Sequence, residues 1–331
     1  MRSKRGETTE TMKIKKILVA SLLVVALFGV ALLPAMFTGD THAPLAGPEL
    51  SSFEYEEVEF DNRDLQLAGM LFFPEGEGPF PVAVIIHGSG TSRRNSTWYL
   101  SVTRHLQGNG IAVLLPDKRG CEKSEGSWVG AGFDELATDA LAAADFVRSR
   151  TEFEGSSIGL VGMSQGGWIA PVAVSRDPVF AFVVSMSGAT VPTARQLLHE
   201  EIYNMSAYTW PFIARMLAPI SSKQILKMDH VKAYADFDPI PYWLRVEAPK
   251  FFAFGGGDMN VTVEESLEAL RANNIDGWAK VYPNGGHAIA DPESHTVARD
   301  FLNDLVEFIH QASKGSSSAS NEAMPDQTPG R

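Results

Sequence analysis

The chain has 331 residues and a mass of 36.0 kDa, enough to bury a large core within one domain. Hydrophobic residues at 44% and charged residues at 21% match ordinary globular usage, which excludes collagenous and disordered classes for the middle of the chain. A formal net charge of -12, with no basic cluster beyond the first sixteen residues, excludes nucleic acid as a partner, and the single cysteine, Cys121, excludes an intrachain disulfide and zinc sites built from paired cysteines.

In chain order, the basic stretch MKIKK (residues 12–16) precedes an uncharged run, ILVASLLVVALFGVALL, over residues 17–33. That length falls between the hydrophobic core of a signal peptide and the ~20 residues that span a bilayer as a helix. Lysines ahead of the run keep the N-terminus cytoplasmic. The expectation is a protein of the cytoplasmic membrane, single-pass and retained, with its main domain extracytoplasmic, or a secreted one if cleavage occurs near Thr41-His42-Ala43. Residues 1–38 are thus assigned to the anchor or signal segment, 39–50 to a linker rich in Gly and Pro, 51–312 to the folded domain and 313–331 to a Ser- and Gly-rich disordered tail.

Within the domain, EYEEVEF (residues 54–60) and LQLAGMLFFP (65–74), joined by a polar turn, predict an antiparallel hairpin at a sheet edge. Short apolar runs follow at residues 82–86, 111–116, 158–163, 182–186, 250–254 and 279–283, most of them separated by helical stretches. The clearest helix spans residues 133–150, where alanines and leucines follow an acidic first turn. This alternation predicts an α/β fold, a doubly wound and mostly parallel eight-stranded sheet. Residues 190–246 carry helical material and aromatics without a strand pattern, and are expected to form a helical cap over the strand ends where ligands bind.

The chemistry concentrates at three strand ends. IGLVGMSQGGWIA (residues 158–170) is an apolar strand, then Gly162-Met163-Ser164-Gln165-Gly166, then a helical continuation. In such a GxSxG turn the chain reverses so tightly that the positions two before and two after the serine require hydrogen in place of a side chain. The turn lifts Ser164 Oγ to the sheet edge and aims a helix N-terminus at the reacting oxygen. A serine hydroxyl is a weak nucleophile without a base, so a histidine and an orienting acid are required. NGGH places His287 after the last strand, and FAFGGGD places Asp258 after the one before it. His42, His105, His199, His230, His295 and His310 end no strand, nor do the competing acids Asp276 and Asp291.

Two backbone N–H groups are expected to hold a developing oxyanion, those of Gln165 and of Ser89 in the HGSG loop after residues 82–86. His87, which directly ends that strand, is assigned a structural role. Cys121, in the polar stretch RGCEKSEG, is read as a bystander thiol rather than a nucleophile.

With HGSG, GMSQGG, FAFGGGD and NGGH in this order, residues 54–312 resemble the α/β-hydrolase superfamily, and within it bacterial dienelactone-hydrolase-like esterases and S33-type peptidases. DKRGCEKS (residues 117–124) is similar to the family's DxRGxGxS loop, with Glu122 standing where glycine is usual. The resemblance implies hydrolysis of esters or related small-molecule acyl compounds through an acyl-enzyme, without metal or organic cofactor. Dienelactone hydrolases proper use a cysteine nucleophile where this chain has Ser164, so their substrate does not carry over. Two alternatives stand beside this reading: a peptidase or amidase, with His199-Glu200-Glu201 of the cap holding a substrate amine, and a non-catalytic binding module on a hydrolase scaffold.

Overall fold

Valine, isoleucine, leucine and phenylalanine crowd the apolar runs, a composition suited to strands buried on both faces. In the computed structural model, which describes residues 44–321 together with Lys13, Ile14, Lys16, Ser21 and Gly29, these runs form one eight-stranded sheet. Its strands are β1 (Glu56–Asn62), β2 (Leu65–Phe72), β3 (Val82–Ile86), β4 (Ala112–Pro116), β5 (Ile158–Met163), β6 (Phe182–Met186), β7 (Lys250–Gly255) and β8 (Trp278–Tyr282). The spatial order is β1-β2-β4-β3-β5-β6-β7-β8. β2 pairs antiparallel with both β1 and β4, and every other pair is parallel. The hairpin β1–β2 closes through Arg63 and Asp64, with Arg63 in the left-handed region at φ 57°.

Helices cover both faces. On one lie α2 (Phe133–Ser149), α3 (Gly166–Val174) and α7 (Val263–Ala272); on the other lie α1 (Thr97–Gln107) and α8 (Arg299–Asn321). Side chains that alternate along a strand enter opposite layers. In β3, Val82, Val84 and Ile86 join the α2/α3 layer, while Ala83 and Ile85 join the α1/α8 layer. This is the doubly wound, mostly parallel architecture expected from the strand and helix alternation.

Between β6 and β7, α4 (Thr193–Ser206) and α5 (Pro211–Ile225) pack against each other, followed by a 3-10 turn at Lys232–Tyr234 and the short α6 (Ile240–Trp243). This is the helical insertion anticipated for residues 190–246. Trp243 returns the chain to the sheet: it is 1% exposed and meets Phe252 of β7 edge-on, with ring centroids 4.6 Å apart. α8 is described through Asn321, past residue 313 where a tail was expected to begin, and residues 322–331 lie outside the described residues.

The expected membrane localisation does not hold. Among the described residues, no helix is long and apolar enough to cross a membrane. The hydrophobic run at residues 17–33 that motivated it lies outside the described residues, apart from Ser21 and Gly29.

Removing the Trp243 indole would leave a cavity at the junction of insertion and sheet. Trp243→Ala is expected to lower the unfolding free energy by about 3–5 kcal/mol, read from urea denaturation.

Candidate active site

At the end of β5 the chain reverses into α3 through Ser164, which sits at φ 54°. Only close backbone approach permits this. A Cβ at Gly162 would strike the carbonyl oxygen of Gly166, and one at Gly166 would strike that of Ile86. The bend is further tied by the Ser164 N–H donating to Met186 O (2.8 Å) and the Gly167 N–H donating to Ser164 O (2.8 Å). The glycines therefore press the serine-bearing turn against the end of β3.

Asp258 and His287 arrive on two glycine-rich loops that interlock. The Gly256 N–H donates to Tyr282 O (2.8 Å), and the Gly257 N–H donates to Gly285 O (2.7 Å). Asp258 Oδ1 accepts the backbone N–H groups of Asn260 (2.9 Å) and Val261 (3.2 Å), which fix the carboxylate. His287 Nδ1 lies 2.9 Å from Asp258 Oδ2 and 3.1 Å from Oδ1, and its Nε2 lies 2.9 Å from Ser164 Oγ. A carboxylate has no hydrogen to give, so Nδ1 carries the ring hydrogen and Nε2 accepts from the Ser164 hydroxyl. The Asp258 side chain is fully buried, while that of His287 is 25% exposed.

These groups open into a cavity of about 550 Å³ under α4 and α5, whose lining includes Ser89, Trp98, Gln165, Glu200, Tyr234 and Asn260 as well as Ser164 and His287. Gln165 and Ser89, whose N–H groups are expected to hold a developing oxyanion, both belong to this lining. Neither has a backbone acceptor among the described residues. Gly88, just before Ser89, passes so near the serine that a Cβ there would lie 3.2 Å from Ser164 Cβ.

Several residues that shape the site carried no motif. Trp98 packs on the His287 imidazole, with centroids 5.5 Å apart. Tyr99 Oη accepts the Gly88 N–H at 2.9 Å, and its pKa is raised by burial. Lys118, 7% exposed, donates from Nζ to Gly88 O (2.8 Å) and Gly90 O (3.0 Å), with its pKa lowered to about 8 by burial. Glu200 is half-buried in the cavity; burial raises its pKa, while His287 acts in the opposite sense. Ser187 and Thr193 belong to the same lining and bury hydroxyls that have no partner among the described residues. An aromatic pair on an early helix, or one lysine inside a loop motif, offers no periodicity to single it out.

Cys121 is buried, accepts the Ser92 N–H at 3.4 Å and is not among the residues lining the cavity. Glu122 takes φ 50°, the left-handed conformation that the usual glycine would supply. Among the described residues, no group of three or more His, Cys, Asp or Glu could hold a metal ion.

Residues 83–300 match the model of the alpha/beta hydrolase family. The chain belongs to this family. Among curated proteins, this α/β-hydrolase is similar to the acylamino-acid-releasing enzyme of Rattus norvegicus, 22% identical over 80% of this chain, and to esterase EstD of Thermotoga maritima, 25% identical over 70% of it. It spans 35% of the length of the first of these relatives and 62% of the second. Among solved structures, an esterase of Pyrococcus furiosus superposes with a TM-score of 0.61 at 19% identity, covering 82% of this chain and 99% of the esterase. The acylaminoacyl peptidase of Pyrococcus horikoshii superposes at 0.59 and 18% identity, covering 85% of this chain and 43% of the peptidase. At such identities the two structures bear on the α/β-hydrolase fold alone.

His87 lies beside the serine turn but faces the scaffold. Its Nε2–H donates to Pro116 O, its Nδ1 accepts the Ser92 hydroxyl at 2.7 Å, and its ring stands edge-on to Tyr99. Burial pushes its pKa from 6.5 down to about 4. The unfolded chain therefore takes up a proton on His87 below about 6.5, and the folded chain does so only near 4. Each downward step of pH across that window favours unfolding, and the stability is intact above it. Wild type is expected to lose more stability than His87→Gln between pH 7.5 and pH 4.5, measured as urea midpoints at the two pH values.

Proposed function

We propose that this chain hydrolyses carboxylic esters through a covalent acyl-enzyme, with Ser164 as nucleophile, His287 as general base and Asp258 as the acid that orients it. The observation carrying the reading is the continuous hydrogen-bonded line from Asp258 through His287 to Ser164 Oγ, at 2.9 Å for each link. His287 Nε2 takes the hydroxyl proton as Oγ bonds to the substrate carbonyl carbon. The oxygen of that carbonyl becomes negative and is received by the N–H groups of Gln165 and Ser89. Collapse of the tetrahedral intermediate breaks the ester C–O bond, and His287 returns the proton to the departing alkoxide, releasing the alcohol. Water then attacks the acyl-serine, giving up its proton to His287, and collapse releases the acid and restores Ser164. The buried Asp258 carboxylate stabilises the imidazolium present at each stage.

A second reading, cleavage of aminoacyl or peptide amides, draws on Glu200. Among the described residues no Lys or Arg lines the cavity, and the half-buried Glu200 lines the same space as Ser164. A substrate ammonium bound there would lower the cost of keeping that charge out of water. The relatives include proteins named as acylamino-acid-releasing enzymes and a dipeptidyl aminopeptidase of Pseudoxanthomonas mexicana.

Turnover of p-nitrophenyl acetate is expected to fall about 10⁴-fold or more in Ser164→Ala, and about 10²- to 10⁴-fold in Asp258→Asn, which holds the wrong tautomer. Full activity in Ser164→Ala would end the proposal. A fluorophosphonate probe should label the wild type and spare Ser164→Ala, whereas an unlabelled wild type would favour a non-catalytic binding module.

Esters of graded acyl length, assayed beside aminoacyl p-nitroanilides, separate the two substrate readings. The ester reading expects a kcat/KM for the best ester at least about 100-fold above that for any anilide. Reversal of that order, with the anilide preference lost in Glu200→Gln, would select the amide reading.

A further inference from the structure

Among the described residues, the buried Lys118 is a cation that no carboxylate pairs with. Asp117, its neighbour in sequence, is taken up by Arg94 through hydrogen bonds from Nε and Nη2 at 2.8 Å each. The Lys118 ammonium instead meets two backbone oxygens, Gly88 O at 2.8 Å and Gly90 O at 3.0 Å, and the face of Trp128, 5.1 Å from its ring centroid. Burying an ammonium on neutral acceptors carries a desolvation cost that an apolar side chain of the same length would not incur. A purely space-filling role does not account for the choice.

The two oxygens flank Ser89, and the first belongs to the peptide unit whose N–H is that of Ser89. Because the peptide is planar and trans, its C=O and N–H point in opposite directions. Fixing Gly88 O with a charge-assisted bond on one side therefore directs the Ser89 N–H to the other. The same cation draws electron density toward the carbonyl oxygen and strengthens the N–H as a donor. Tyr99 Oη holds the Gly88 N–H at 2.9 Å, so the residue before Ser89 is secured through both its backbone groups.

From this geometry we infer that Lys118 is a positioning residue for the oxyanion, acting through the Gly88–Ser89 peptide by orienting and polarising the Ser89 N–H. The role rests on the hydrolase reading given above and does not require contact with substrate. It falls on the developing negative charge more than on the ground-state ester, so it should appear in kcat and leave KM nearly unchanged.

The test compares wild type with Lys118→Met, which keeps an unbranched apolar stem, and Lys118→Gln, which keeps an N–H donor without the charge. With p-nitrophenyl acetate, Lys118→Met is expected to lose about 10- to 100-fold in kcat with KM within about threefold, less than loss of an oxyanion donor itself. Affinity for a trifluoromethyl ketone, whose adduct with Ser164 carries the oxyanion, should fall by a similar factor, with Lys118→Gln intermediate. Folded Lys118 variants with wild-type kcat and wild-type affinity for the ketone would overturn the role, as would a loss confined to KM. Failure of both neutral variants to fold assigns Lys118 to the scaffold and overturns it too. A wild type that neither turns over esters nor labels with fluorophosphonate sinks the hydrolase reading and this inference together, whereas an active wild type with unaltered variants removes only Lys118.

Discussion

Ser164 is held at φ 54°, a backbone conformation that costs a non-glycine residue about 1–2 kcal/mol, and the rest of the site is arranged around that bend. The conformation persists because the surroundings over-determine it. Gly162, Gly166 and the end of β3 approach so closely that only hydrogen fits at the two glycines. The Ser164 N–H is bound to Met186 of β6. Strand pairing on both sides of β5 thus supplies the force that keeps one hydroxyl raised above the sheet edge, at the start of α3 and its positive dipole end.

Charge around the bend is handled by depth. Asp258, with its side chain fully buried, receives two backbone N–H groups and the imidazole, so it is satisfied before any substrate enters. His87, equally deep, remains neutral because burial penalises a charge there more than the nearby Asp117 favours one. Arg94 neutralises Asp117, and Arg119 joins Asp139 and Glu135, which locks the loop after β4 against α2. Lys118, in the same loop, spends its charge on backbone carbonyls rather than on an acid. One loop therefore mixes scaffold ion pairs with a cation directed at the site.

The parallel strands were legible because continuous β-branched and aromatic runs have no other stable placement than between two layers of helix; residues 82–86, 158–163 and 182–186 coincide with β3, β5 and β6. Edge elements were less so. β1 runs two residues beyond residue 60, since Asn62 donates from its side-chain amide to Thr138 and Asp139 and so tolerates burial. The sheet-end glycines and the order Ser, Asp, His made the central trio readable, because each residue type has a steric or chemical requirement visible in one dimension. Trp98, Tyr99 and Lys118 have none: their importance arises from what folding sets beside them. The membrane expectation came from hydropathy at residues 17–33, and none of the described helices carries it.

The two strands that bracket the helical insertion, β6 and β7, are hydrogen-bonded neighbours, paired from Val183 with Lys250 to Met186 with Ala253. The ends of the insertion are thus pinned side by side by the sheet, whatever lies between them. Closing a longer or shorter excursion across such a fixed gap changes the chain entropy only logarithmically with its length. Evolution can rebuild the roof over the serine without renegotiating the floor, and the cavity can change shape while the hydrogen-bonded line from Asp258 through His287 to Ser164 beneath stays in register.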